Sequence, residues 1–157
     1  MDDYDSTDST AHSPLLGFIF DGYPIYGPYG YSSAYNSSSS IKRMTSGYSL
    51  RSITQRHSFS NGTTLSSSYY GPDVSTTYPL GKYIEDYEWL STNGDLDEYN
   101  GRWCVTPEYP SGTYAYFVTT DSSDTPTFPY TVGKYYYGKV TTIKNTTVTS
   151  GATTFFY

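Results

Sequence analysis

A chain of 157 residues with a formal net charge of −6 and one cysteine, Cys104, fits a single domain whose core closes without an internal disulfide. Lys42 and Arg43 are the only adjacent bases, which excludes the clustered cations needed to neutralise a nucleic-acid backbone or an anionic membrane. Leu, Ile, Val and Phe are scarce, but 21 tyrosines lift the aromatic share to 19%, so rings must supply the core and their buried hydroxyls must find partners.

Residues 1–11, opening with MDDYDSTDST, are charged and small and read as a flexible arm. The apolar run LLGFIF from Leu15 predicts a short strand. DGYPIYGPYGY then predicts a series of turns, because Asp-Gly and the prolines Pro24 and Pro28 rule out a helix. Ser32 to Thr77 is dominated by Ser, Thr, Tyr and Gly, with loops at NSSSS and SNGTTLSSSYYGPD and an extended piece from Tyr48 to Ile53; it reads as exposed and adaptable. In GKYIEDYEWL, Tyr83, Tyr87 and Leu90 suit a helix, whereas Tyr83, Glu85, Tyr87 and Trp89 alternate as a strand would, and the extended reading is preferred.

An acidic turn, NGDLDEYNG, follows from Asn93 to Gly101. GTYAYFVTT then alternates strictly after Gly112, which makes Thr113 to Thr119 a strand with Tyr114, Tyr116 and Val118 on one face and Thr113, Ala115, Phe117 and Thr119 on the other. Tyr130 to Gly138 is a turn-bounded aromatic segment, and residues 139–157 read as a Thr-rich hairpin turning near Ser150 and Gly151 and ending on Phe155, Phe156 and Tyr157. No repeat of 20 to 50 residues is evident. The architecture is therefore expected to be all-β: an antiparallel, sandwich-like domain with long Ser/Tyr-rich loops and a C-terminal hairpin. No apolar run would serve as a signal peptide or a membrane span.

Asp95, Asp97, Glu98 and Asn100 supply enough oxygens in one turn to suggest a hard cation such as Ca²⁺. Tyr99, however, stands where a calcium loop wants an oxygen ligand, and no Glu closes the loop, so a hydrogen-bonded acidic turn is preferred and no cofactor is expected. Asp97 and Glu98 are neighbours that a strand would point apart; a glycosidase pair would have to join Glu98 with Asp21 or Glu108. His12 and His57 are not ligand-spaced and read as solvated loop residues, and no G-x-S-x-G elbow accompanies the abundant serines. Tyr29, Tyr31, Tyr69, Tyr70 and Trp89 could form a ring-lined binding face.

Three blocks carry a resemblance: HSPLLGFIFDGYPIYGPYGY (His12 to Tyr31), GDLDEYNGRWCVTPEYPSGTYAYFVTTD (Gly94 to Asp121) and TPTFPYTVGKYYYG (Thr125 to Gly138). In that order they resemble the YHYH domain family, placing the domain at 12–138. The intervening Ser/Tyr-rich stretch is similar to the long insertion of members carried in virion structural proteins of tailed phages of marine cyanobacteria. The family's Tyr-His-Tyr-His strand corresponds here to Tyr114-Ala115-Tyr116-Phe117, so both histidines are replaced by groups that neither coordinate a metal nor move a proton. The resemblance leaves Asp21, Gly22, Pro24, Gly27, Asp97, Glu98, Asn100, Gly101, Tyr114 and Tyr116 as a structural motif, with Asp21 or Asp97 accepting hydrogen bonds from turn amides and tyrosine hydroxyls.

The expected function is a non-enzymatic structural module of a phage virion, in a tail, baseplate or fibre-associated protein. It would contact other virion proteins or neighbouring copies and would be made in the host cytoplasm. A carbohydrate-binding module for host-surface polysaccharide is the alternative, and a degenerate metal-dependent enzyme using Asp21, Asp97 and Glu98 a weaker one. Neither nucleic acid nor a membrane is an expected partner.

Overall fold

The computed structural model describes residues 8–140. Among them are eight strands of three to five residues and two single turns of 3-10 helix, Ser67–Tyr69 and Ile84–Asp86, an all-β fold in which irregular segments carry most of the chain. The strands are β1 (Leu15–Phe18), β2 (Pro24–Tyr26), β3 (Tyr29–Tyr31), β4 (Ile41–Arg43), β5 (Tyr48–Leu50), β6 (Tyr87–Trp89), β7 (Gly101–Cys104) and β8 (Thr113–Phe117). They form one four-stranded sheet in the order β1-β2-β8-β7 and two ribbons, β3-β4 and β5-β6. Every pairing is antiparallel except that of β2 with β8, which is parallel at the centre of the sheet. No helix among the described residues is long and apolar enough to cross a membrane.

The strand expected at Thr113 to Thr119 is β8, two residues shorter, and it is central: Tyr114, Ala115, Tyr116 and Phe117 are all fully buried. Its alternation divides the core. Ala115 and Phe117 join Tyr26, Met44, Leu96 and Cys104 on one side of the sheet, while Tyr114 and Tyr116 join Ile25 on the other, with Ile19, Tyr23, Tyr99, Val118 and Val132 packed around them. Rings do replace aliphatic side chains, as the composition requires.

Two expectations are corrected. The segment after LLGFIF is not only turns, because Pro24 opens β2 and Tyr29 opens β3, with Gly27 and Pro28 between them. A proline is tolerated at the first position of a strand, and Pro24 there gives up one ladder donor without breaking the pair with Phe18. The Ser-rich region is exposed over much of its length but not adaptable throughout, since Arg51 and Arg56 are buried inside it. Arg56 Nε donates to Asp86 Oδ1 at 2.6 Å and Nη2 to Asp86 Oδ2 at 2.9 Å, and its remaining donors reach the carbonyls of Pro72, Tyr78 and Pro79. GKYIEDYEWL accordingly splits into the 3-10 turn that delivers Asp86 and the extended β6. The C-terminal hairpin expected at 139–157 lies, beyond Val140, outside the described residues, as do residues 1–7 of the N-terminal arm.

Candidate functional site

The motif residues assemble around β8 as a lattice of rings and carboxylates. Tyr114 Oη donates to Asp97 Oδ1 at 2.8 Å, and that oxygen also accepts the amides of Tyr99 at 3.0 Å and Gly101 at 3.2 Å. Tyr116 Oη donates to Asp21 Oδ2 at 2.5 Å, which accepts the Gly138 amide at 2.9 Å, while the Tyr137 amide donates back to Tyr116 Oη at 2.7 Å. The Tyr114 ring stacks on Tyr137 at 3.7 Å between centroids and meets Tyr116 and Tyr23 edge-on. Asp21 and Asp97 therefore each tie a turn to a core tyrosine, whereas the Glu98 side chain is exposed.

The backbone is shaped to allow this. Gly101 lies so close to the Tyr114 ring that any Cβ would overlap its hydroxyl end, and a Cβ on Gly133 would overlap the Glu98 carbonyl. Asn100 is buried at φ +66°, in the left-handed region that Asn tolerates better than most residues, and its Nδ2 donates to the carbonyls of Phe117 at 2.9 Å and Thr131 at 3.1 Å. It thus ties the acidic turn to the end of β8.

Electrostatics point the same way. Burial, reinforced by the Asp97 charge, pushes the Tyr114 hydroxyl far above its usual value, and burial with Asp21 does the same to Tyr116. Both remain protonated donors and cannot serve as bases near neutral pH. Burial raises Asp97 as well, against the hydrogen bonds from Tyr114, Gly101 and Tyr99. Cys104 is fully buried, and burial raises its thiol, which removes it as a nucleophile.

The four oxygen donors considered for calcium are placed in different networks. Asp95 accepts Lys42 Nζ at 2.6 Å and Thr45 Oγ1 at 2.7 Å; Asp97 is held by Tyr114; Asn100 faces two carbonyls; and Glu98 is exposed. Among the described residues, no three His, Cys, Asp or Glu side chains converge as a metal site would need. Gly22, at φ +88°, sits in the turn between β1 and β2, and Pro24 and Gly27 are buried behind it.

His12 is not the solvated residue that its loop suggests. Its ring packs edge-on to Tyr26 at 5.1 Å and against Tyr31 at 4.9 Å and Phe117 at 6.0 Å. Nδ1 donates to the Ser13 carbonyl at 2.8 Å, so the neutral ring leaves buried Nε2 as an acceptor with no partner among the described residues. Burial holds the imidazole below its usual value, against the pull of the Ser13 carbonyl and Glu108 and with the help of Arg102. The unfolded chain then binds this proton more readily than the folded one. Stability should therefore be full above the ordinary histidine range near pH 6.5 and fall as pH drops below it. Urea midpoints measured from pH 8 to 5 should show this decline, and His12→Gln should flatten it.

The five residues expected to form a ring-lined face are dispersed. Tyr29 is buried, its Oη accepting from Arg43 Nη2 at 2.5 Å, and Tyr31 is half-buried against His12. Tyr69 and Trp89 instead line two neighbouring clefts, and Tyr70 stacks on His57 at 3.7 Å nearby. Phe59, which also lines both clefts, has no periodic or motif signal in the sequence, and the patterns that contain Glu85, Lys134 and Tyr135 do not bring these residues together.

No curated protein and no solved structure matches the chain. A family model described as YHYH protein matches residues 3–132, a span that holds the acidic turn, β8, Asp21, Asp97, Tyr114 and Tyr116. The chain belongs to the YHYH protein family.

Proposed function

We propose that this chain is a non-enzymatic structural module of a phage virion, in a tail, baseplate or fibre-associated protein, that makes assembly contacts with neighbouring copies or other virion proteins. The observation that carries the assembly reading is β1. Among the described residues it is the last strand on one side of the sheet, and it presents Leu16, Phe18 and, beyond its end, Phe20 to solvent, Phe20 at 85% exposure. An edge with unpaired backbone groups and an outward row of large apolar side chains favours pairing with a further strand. The use of Asp21, Asp97, Tyr114 and Tyr116 as internal ties supports the non-enzymatic part of the reading. The virion setting is supported by the resemblance of the Ser/Tyr-rich stretch to the insertion of phage-borne members.

Light scattering on the full chain at tens of micromolar should give a mass that is a multiple of the monomer, and Phe18→Lys should return it to the monomer with its thermal transition retained. A wild-type chain that stays monomeric at every concentration, or an oligomer indifferent to Phe18→Lys, contradicts the reading.

A further inference from the structure

Beside the β5-β6 ribbon lie two clefts of about 420 and 480 Å³, each of a size that holds a small-molecule ligand. They share Phe59 and Glu85, so a half-exposed ring and a carboxylate form the ridge between them. The ridge is fixed from beneath: buried Arg51 donates through Nη1 to the Glu85 carbonyl at 3.0 Å and through Nη2 to the Phe59 carbonyl at 3.1 Å. Trp89 and Tyr135 bring further rings to the first cleft, and Tyr69 and Tyr83 to the second.

The charges around the ridge restrict the ligand. Glu85 and Glu98 face the first cleft, and Lys134, the cation there, donates Nζ to the Tyr87 carbonyl at 2.8 Å. In the second cleft, Arg56 is already neutralised by Asp86. Among the described residues, the first cleft sets two carboxylates against one ammonium and the second pairs its guanidinium with Asp86, so neither presents a net positive charge to a phosphate, sulfate or uronate. What they do offer is flat rings to take the C–H faces of a pyranose and carboxylate oxygens, with the Asn61 amide, to take its hydroxyls.

We infer that the paired clefts divided by Phe59 and Glu85 form two adjoining subsites for a neutral hexose oligosaccharide, one sugar stacking on each side of the Phe59 ridge. Binding energy then depends on both clefts, so affinity should rise from a single hexose to an oligomer that spans them.

Calorimetry on the full chain with cellohexaose, maltohexaose and mannohexaose, their monosaccharides, and a heparin hexasaccharide as anionic comparison tests this directly. At least one neutral hexaose should bind at least tenfold more tightly than its monosaccharide, with no heat from heparin. Phe59→Ala should reduce that affinity at least tenfold. The backbone bonds of Phe59 to Thr63, Gly62 and Arg51 survive this truncation, so its thermal transition should not move. Glu98→Gln, at an exposed side chain whose residue is held through its carbonyl, provides a second variant that keeps the fold. Silence with every neutral oligomer at millimolar concentration, preference for heparin, or binding unchanged by both variants overturns the inference, and none of these outcomes bears on the oligomer mass that tests the assembly reading.

Discussion

Asp86→Ala is expected to lower the free energy of unfolding by about 3–5 kcal/mol, because it strands the Arg56 guanidinium in the interior without its counter-charge. Asp86 is fully buried and Arg56 only 4% exposed. The carboxylate accepts four hydrogen bonds, two from Arg56 and one each from the amides of Gly81 and Tyr83. Burial alone would push this carboxyl up, but Arg56 and the two amides more than offset it and hold the group below the usual carboxylate range. Its contribution is accordingly present above the unfolded value near pH 3.9 and is lost as pH falls through the lower folded value. Equilibrium urea unfolding at pH 7 measures the loss. The loop from Arg51 to Pro79 should also become the first site of limited proteolysis, since Arg56 is what fastens the carbonyls of Pro72, Tyr78 and Pro79. A double replacement, Arg56→Met with Asp86→Leu, should recover only part of the stability, because it removes the uncompensated charge but leaves the Gly81 and Tyr83 amides and the three carbonyls without these partners.

Asp97→Ala should cost at least about 3 kcal/mol, because three donors lose their acceptor and each buried one left unsatisfied costs about 1–3 kcal/mol. The Tyr114 hydroxyl, which has no exposure, and the Tyr99 and Gly101 amides all lose their acceptor at once. Tyr114→Phe removes one donor and leaves Asp97 two amides, so its effect should be smaller, about 1 kcal/mol. Thermal and urea unfolding of the two variants should preserve that order. Near-ultraviolet circular dichroism should change in both, because Tyr114 is stacked on Tyr137 and edge-on to Tyr116, Tyr23 and Trp103.

These effects also mark where sequence reading succeeds and where it stops. β8 is legible because strict alternation after Gly112 survives with both faces buried, and the acidic turn is legible because short polar residues and glycine cluster within it. The Arg56 and Asp86 pair is not legible: thirty residues separate the partners, and an isolated arginine in a serine-rich stretch looks like any solvated base. The parallel pairing of β2 with β8 is hidden for a related reason, since periodicity fixes which residues share a face but not which distant strand lies alongside. Tyrosine is ambiguous by its chemistry. The same side chain fills the core at Tyr29, bridges to a carboxylate at Tyr114 and lies open at Tyr69, and only the tertiary surroundings decide among these roles. The clefts escape notice because their linings come from segments far apart in the chain, including Phe59, Glu85 and Lys134.

In the folded chain, Asp97 holds the acidic turn and Asp21 the turn after β1 to tyrosines of the central strand. If that is their role, Asp97 and Tyr114 must be energetically coupled. A double-mutant cycle of Asp97→Ala and Tyr114→Phe, read by urea unfolding at pH 7, measures the coupling directly. An interaction energy of at least about 1 kcal/mol is expected, with both single variants destabilised. Additivity within about 0.3–0.5 kcal/mol, with the single variants as stable as the parent, would contradict it and return these residues to the search for chemistry.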